Sequence, residues 1–133
     1  LLAMEPIAVR TSAGLLALLT TVPGRAQVDQ MASAVAAHLD AVTMGIASTL
    51  PGEPGFEPKR YWRGPVWAIV NWMIAEGLAR HGHAALAERL RAMTVSTIET
   101  RGFGEYFDPT TGDALGGGAF SWTAAILLML KAA

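Results

Sequence analysis

Apolar residues recur at helical spacing along almost the whole chain, and stretches typical of strands are hard to find. Near the start, Thr11 and Ser12 form a candidate N-cap pair in front of an apolar run that continues to Val22. The run stops at Pro23-Gly24, a pair of residues that favours a turn. This pattern predicts a first helix that ends just before Pro23.

The second and fourth predicted helices each have one apolar and one polar face. The apolar positions of the second helix follow one another at steps of three and four, and they are Val28, Met31, Val35 and Leu39. The fourth helix is predicted from about His83 to Thr100 and stops at Gly102. Such two-sided patterns are typical of helices that contact a core on one side and water on the other.

Two long connections without helical periodicity separate the remaining helices. The first covers residues 45–64 and is rich in proline and glycine, and the second covers residues 102–118 and is rich in glycine. Pro65 is the expected first position of a third helix that continues to Gly82, and a fifth helix is expected from about Phe120 to Leu130. Loops of this length inside compact domains are usually functional or disordered.

The alternation of helix types predicts the fold class. The first, third and fifth helices are almost wholly apolar or aromatic, whereas the second and fourth are amphipathic. A two-layer ring produces this order, because its inner helices are buried on both sides and its outer helices face water. A stack of helical repeats would alternate in the same way, but no fixed sequence period supports one. We therefore predict an all-α fold in which residues 1–133 form a single segment.

Composition indicates that other protein surfaces cover part of this chain. The hydrophobic fraction is 52%, the mean hydropathy is +0.35 and only 16% of residues are charged, which is apolar for a soluble domain. No apolar stretch reaches the roughly 18 residues that a membrane span requires, so we expect no membrane segment. The net charge of −1 and the lack of a basic run argue against a nucleic-acid partner. Cysteine is absent, which excludes disulfides and thiolate metal sites, and the cytoplasm is the default expectation.

The densest group of aromatic residues is the segment YWRGPVW at 61–67. It brings Tyr61, Trp62, Arg63 and Trp67 to a junction between a loop and a helix. Aromatic faces suit the C–H faces of a pyranose ring, and a guanidinium can hydrogen-bond hydroxyls or a carboxylate. The segment is a candidate sugar platform, although ordinary helix packing explains buried aromatic residues equally well.

The second long loop contains GFGEYFDPTTG at 102–112, in which Glu105 lies among aromatic residues. Apolar surroundings suit a carboxyl group for acid or base work near neutral pH, so Glu105 is the catalytic candidate. Asp108 precedes Pro109 and a Thr-Thr-Gly sequence, which is turn chemistry and predicts a structural role.

The histidines do not indicate a metal site. His38, His81 and His83 have no second ligand at metal-binding spacing, and we expect them on the surface. The glycines at 116–118 lack the lysine and hydroxyl residues of a phosphate-binding loop. We therefore expect neither a metal nor a cofactor.

Three motifs in a fixed order give the chain a family resemblance. They are YWRGPVW at 61–67, GFGEYFDPTTG at 102–112 and GGGAFSWTAA at 116–125. With them, residues 45–130 resemble the C-terminal region of glycoside hydrolase family 63. The relatives of that family include mannosylglycerate hydrolase-like enzymes, α-glucosidases and proteins related to glycogen debranching enzymes. Weaker similarity extends to residues 11–16.

The resemblance implies a partial (α/α)6 toroid of about five helices and an inverting hydrolysis of an α-glycosidic bond. By the same resemblance, Glu105 is the general base that activates the attacking water. Tyr61, Trp62 and Trp67 correspond to aromatic walls of the pocket, and Arg63 would help to orient the substrate. Trp122 corresponds to an inner-helix position near the pocket, where core packing explains it equally well.

The chain departs from the family in length. An inverting enzyme also needs a carboxylic acid to protonate the leaving oxygen, and the family supplies it from an Asp upstream of these motifs. We expect this chain alone to lack that acid and to be inactive. The expected partner is a carbohydrate, an α-linked glucoside or mannoside. Self-association, or association with the rest of the toroid, would cover the apolar helices.

The alternative interpretation is a catalytically incomplete helical module that binds a carbohydrate or a partner. Activity on aryl α-glycosides, compared with binding of the same sugars, separates the two interpretations.

Overall fold

A computed structural model describes residues 8–132 of the chain. The helices are α1 (Ser12–Leu15), a 3₁₀ helix (Leu16–Leu19), α2 (Arg25–Ala41), α3 (Ala68–Arg80), α4 (Ala84–Arg101) and α5 (Ser121–Ala132). The strands are β1 (Tyr106–Phe107) and β2 (Ala114–Leu115), which pair antiparallel. The prediction of an all-α fold is confirmed, with one two-stranded ladder inside the second long loop.

The first predicted helix is wrong in its length. The α-helix stops at Leu15, the 3₁₀ helix stops at Leu19, and Val22 lies almost fully exposed beyond both. A close contact with α3 explains the tighter turn, since a Cβ atom on Gly77 would come within 2.7 Å of the Cβ of Leu18. Glycine therefore lets the backbone of α3 approach the fully buried Leu18, and this packing overrides the apolar run.

Helices α3 and α4 form the centre of the fold. Both contribute to a buried cluster that also takes in α2 and the 3₁₀ helix. The buried positions of α4 recur at three- and four-residue steps and are Ala87, Leu90, Thr94, Thr97 and Ile98. Helices α2 and α4 each bury one side, as predicted, but the buried side of α4 includes the polar residues Thr94 and Thr97. In α3, seven of the thirteen residues are buried, as expected of an inner helix.

Asn71 ties the start of the first long loop to this centre. Its side chain is buried, its Oδ1 accepts the Ile46 N–H at 2.9 Å, and its Nδ2 donates to Thr94 Oγ1 at 3.0 Å. Nδ2 also lies 3.3 Å from the carbonyl oxygen of Met44. Since buried amide groups are costly to leave unpaired, this network fixes the loop against α3 and α4.

Backbone hydrogen bonds join the two long loops. Val66 and Phe107 exchange N–H to carbonyl bonds, both at 2.9 Å, and Phe120 N–H donates to Phe103 at 2.9 Å. The pairing holds residue 66 in an extended conformation, so α3 begins at Ala68. The expectation that Pro65 is the first helical residue is wrong for that reason.

The fifth helix has a covered side and an open side. Thr123, Ile126 and Leu130 are buried, whereas Leu128 is 71% exposed and Met129 is 45% exposed. Here the helix is buried on one side, which differs from the expected burial of an inner helix on both sides. Self-association through this face stays a prediction. None of the helices in residues 8–132 is long and apolar enough to cross a membrane.

Candidate active site

The aromatic residues of the first long loop and of β1 form one cluster in front of α3. The rings of Trp62 and Trp67 stack with their centroids 4.2 Å apart and their planes 7° apart. Tyr61 meets Trp67 edge to face at 4.7 Å and Tyr106 edge to face at 5.4 Å. Trp67 is only 3% exposed, whereas Trp62 is 51% exposed. Trp67 thus supports the cluster from behind, and Trp62 presents its outer face to solvent.

Glu105 lies beside this cluster, held by the ladder between the two strands. Its backbone N–H donates to the carbonyl of Leu115 at 2.8 Å, and its partly buried side chain reaches the hydroxyl of Tyr61. That hydroxyl donates to Glu105 Oε1 at 2.8 Å, across 44 residues of sequence. The structure therefore brings together the predicted base and the first of the predicted aromatic residues.

The other oxygen of Glu105 faces a glycine backbone. A Cβ atom built on Gly116 would lie 2.6 Å from both the Cβ and the Oε2 of Glu105, and 2.9 Å from the ring of Tyr106. Gly116 also has φ of +75°, a conformation that side chains other than glycine disfavour. A glycine is therefore required at 116 for the carboxylate to lie where it does.

Tyr61 combines backbone strain with a shifted pKa. With φ of 29°, it is the one residue other than glycine with positive φ in residues 8–132. Such a conformation persists where the surroundings determine it, and here the indole Nε1 of Trp67 donates to the Tyr61 carbonyl at 3.1 Å. The hydrogen bond to Glu105, followed by desolvation and the negative charge of Glu105, raises the pKa of Tyr61. The hydroxyl is protonated at neutral pH, as in an ordinary tyrosine, and it donates the hydrogen bond to Glu105.

Trp122 lies at the start of α5 and is 52% exposed. Trp122, Trp67 and Glu105 border a narrow gap that is too small for a ligand. Trp122 also lines, together with Trp62, a larger cleft of about 410 Å³. The wider cleft also touches Ser12 and Ser48. Its volume is in the range of small-ligand sites. Two half-exposed indoles thus flank a cavity that shares Trp122 with the narrow gap beside Glu105.

Arg63 points away from Glu105. Its Nε donates to the carbonyl of Gly55 at 3.1 Å, and its Nη1 lies 3.5 Å from the carboxylate of Glu57. The side chain therefore braces the first long loop. Its proposed role in orienting the substrate stays a prediction.

Asp108 has the turn role that its sequence predicts. Its Oδ1 accepts the backbone N–H groups of Thr110 at 2.8 Å and Thr111 at 3.3 Å, and the residue is 1% exposed.

Among the histidines, the expected surface position of His38 is wrong, because α2 turns this residue toward the core and leaves it 3% exposed. Burial of the ring, which disfavours its charged form, lowers the pKa of His38. In residues 8–132 no group of three or more side chains could hold a metal ion.

Sequence reasoning misses one residue of this site and one contact. It gives Gly116 no role of its own, only a place in the motif at 116–125 and in a glycine run that lacks the residues of a phosphate-binding loop. A run of three glycines just before a helix can nevertheless indicate a close backbone approach. It predicts Tyr61 as a wall of the pocket, but it does not predict the hydrogen bond from Tyr61 to Glu105. No local pattern reveals a contact between residues that lie so far apart in the chain.

Comparison with known proteins identifies relatives of this arrangement. A family model described as "Mannosylglycerate hydrolase MGH1-like glycoside hydrolase domain" matches residues 1–123. Mannosylglycerate hydrolase of Thermus thermophilus is 48% identical over 128 residues, which are 96% of this chain and 31% of that protein. Mannosylglycerate hydrolase MGH1 of Selaginella moellendorffii is 47% identical over 118 residues, 89% of this chain and 24% of that protein. The chain thus spans about a quarter to a third of these relatives.

A solved structure extends the similarity to the fold. A family 63 mannosylglycerate hydrolase of Thermus thermophilus, crystallised with Tris and D-glycerate, superposes with a TM-score of 0.90 at 46% identity. The match covers 97% of this chain and 31% of that one. The resemblance to glycoside hydrolase family 63 is confirmed by these findings.

Proposed function

The chain belongs to the mannosylglycerate hydrolase MGH1-like glycoside hydrolase family, and we propose that it carries the general base of an inverting α-glycoside hydrolase. The observation that supports this proposal is the environment of Glu105. Its carboxylate lies against aromatic rings and accepts a hydrogen bond from the neutral hydroxyl of Tyr61. Among residues 8–132, no cation forms an ion pair with it. A carboxylate in such surroundings retains an oxygen that can accept a proton.

In the proposed reaction, Glu105 takes a proton from a water molecule as the water oxygen attacks the anomeric carbon. The bond between that carbon and the glycosidic oxygen breaks, and the leaving oxygen receives a proton from a carboxylic acid. The product is a sugar with the opposite anomeric configuration. In inverting enzymes the acid and the base lie about 6.5 to 9.5 Å apart, which leaves room for the water. We assign no residue of this chain as the acid, and we propose that the remainder of the toroid supplies it.

The sugar would lie in the cleft between Trp62 and Trp122. Both indoles are about half exposed and line the same cavity, so their faces are available to the C–H groups of a pyranose ring. Trp67 and Tyr61 would act as walls mainly by holding Trp62 in place, since both contact it directly. Thr11, Ser12 and Ser48 are the polar residues among those that line this cleft.

The substrate class follows from the relatives. The two relatives named above are mannosylglycerate hydrolases, and the solved structure holds D-glycerate. We propose an α-linked mannoside or glucoside with a small hydroxy acid as the leaving group. Arg63 lies within the aromatic segment at 61–67, and it would orient the substrate only after leaving Gly55 and Glu57.

A binding module is the second candidate, because the chain covers only 31% of its Thermus relative and none of its residues is assigned as the acid. Replacement of Glu105 by glutamine in the complete gene product separates the two functions. Glutamine can still accept the hydrogen bond from the Tyr61 hydroxyl, but it cannot take a proton from water. The kcat on α-mannosylglycerate should therefore fall by about 10²- to 10⁴-fold. Sugar affinity, measured by calorimetry, should change little.

The matched control is Glu88→Gln on the exposed side of α4, which we expect to keep the original kcat. Retained activity in Glu105→Gln would remove Glu105 from the mechanism. Binding of the sugar without turnover by the unaltered protein would instead favour the binding module.

A further inference from the structure

The side chain of Glu105 is held on two sides by residues that are distant from each other in the chain. Tyr61 contacts one carboxylate oxygen through its hydroxyl, and Gly116 lies under the other oxygen. These two contacts divide the carboxylate into an occupied oxygen, Oε1, and an oxygen next to bare backbone, Oε2.

Tyr61 is itself held in place. Its carbonyl accepts the indole N–H of Trp67 at 3.1 Å, and its ring meets the edges or faces of Trp62, Trp67 and Tyr106. Its backbone φ of 29° is unfavourable for a tyrosine and is maintained by these contacts. The hydroxyl is therefore aimed at Glu105 by a fixed backbone and a packed ring, which limits its freedom to rotate away.

Gly116 sets the position of the carboxylate from the opposite side. Any side chain at 116 would press on the Cβ and Oε2 of Glu105 at 2.6 Å, a separation that atoms do not tolerate. The Cβ of Glu105 cannot retreat freely, because the backbone N–H of Glu105 donates to Leu115 in the strand ladder. A larger residue would have to rotate the carboxylate away from Tyr61.

We propose that Tyr61 and Gly116 are positioning residues that fix the Glu105 carboxylate, so that Oε1 is held by the tyrosine hydroxyl and Oε2 takes the proton from water. The proposal rests on the function proposed above. Tyr61 transfers no proton and forms no bond to substrate. Its hydroxyl is protonated at neutral pH, as in an ordinary tyrosine, and the hydrogen bond to Glu105 raises the pKa of Tyr61 further. Positioned groups of this kind act by orientation, which makes the reaction sensitive to small displacements.

Removal of the hydroxyl tests the first half of the proposal in the complete gene product. Tyr61→Phe should lower kcat on α-mannosylglycerate by about 10- to 100-fold with KM changed less than about threefold, because only the orientation of the base is lost. The matched control is Tyr106→Phe, which removes a hydroxyl from a neighbouring ring that packs on the same cluster. The bond from Tyr61 to Glu105 stays in this variant, so its kcat should fall less than that of Tyr61→Phe.

Substitutions at two neighbouring glycines test the positioning role of Gly116. Gly116→Ala and Gly117→Ala both place a side chain at positive φ, +75° and +113°, but a Cβ at 117 meets nothing within 4 Å. Both variants therefore carry backbone strain, and only the first displaces Glu105. We expect kcat to fall by about tenfold or more in Gly116→Ala relative to Gly117→Ala.

A double variant distinguishes positioning from a merely structural role. In the Glu105→Gln background, Tyr61→Phe should reduce the residual rate by less than about twofold, because no base remains to be oriented. An undiminished effect in that background, or full kcat in Tyr61→Phe, would overturn the proposal while leaving Glu105 as the base. Full activity of Glu105→Gln alone would instead overturn the proposed function itself.

Discussion

Two carboxylates lie three residues apart in the second long loop, and the donors that face them differ. Asp108 is buried, and its Oδ1 accepts the backbone N–H groups of Thr110 and Thr111 at 2.8 and 3.3 Å. Glu105 is partly exposed, and among residues 8–132 the hydroxyl of Tyr61 is the donor that its side chain meets. One carboxylate closes a turn, and the other is held against aromatic rings with its second oxygen next to the backbone of Gly116.

On the proposed function, the loop assigns stability to one carboxylate and chemistry to the other. Asp108 accepts two backbone N–H groups of the turn, so its negative charge serves to fix the chain. Glu105 has a single neutral donor, and the rest of its surroundings restrict its position without occupying both oxygens. The turn at Asp108 also supports the strand ladder that holds Glu105, since Asp108 N–H donates to Asp113 at 3.0 Å.

The largest stability effect should come from the buried member of the pair. Asp108→Ala leaves two backbone N–H groups without their acceptor, and we expect the free energy of unfolding to fall by about 2 to 3 kcal/mol. Glu105→Ala loses one partly exposed hydrogen bond and should cost about 0.5 to 1.5 kcal/mol. Urea denaturation followed by circular dichroism measures both. An equal loss for the two variants would contradict the assigned roles.

A smaller effect should come from the cation nearest to Asp108. The ammonium of Lys59 lies 3.9 Å from Oδ2, and its side chain is 64% exposed. Exposed ion pairs contribute little, because water screens the charges and a long side chain must be ordered. Lys59→Met should therefore lower the free energy of unfolding by less than about 1 kcal/mol, measured in the same way. A loss as large as that of Asp108→Ala would show that the ion pair, and not the turn, holds this carboxylate.

Local patterns are enough to predict the separate parts of this loop. The sequence Asp-Pro-Thr-Thr-Gly predicts the turn at Asp108, and glutamate among aromatic residues makes Glu105 a candidate. Apolar periodicity locates α2, α4 and α5 within a few residues of their bounds. These features depend on neighbours along the chain, which is why sequence reasoning reaches them.

Features set by distant contacts could not be predicted in this way. The 3₁₀ helix follows from the packing of Leu18 on Gly77, and the late start of α3 follows from the pairing of Val66 with Phe107. The burial of His38 likewise depends on where α2 packs in the fold. Each of these contacts joins segments that are well separated in the sequence, and none has a signature in the local order of residues.

The role of Glu105 as the base is tested most directly by chemical rescue. In Glu105→Ala, sodium azide can enter the space left by the carboxylate and attack the anomeric carbon, so no base is needed to activate it. With an aryl α-mannoside as substrate, the complete gene product should be nearly inactive without azide. Azide should restore turnover and yield a mannosyl azide of β configuration by proton NMR. Full activity of the variant without azide, or an α-mannosyl azide as the product, would contradict the account.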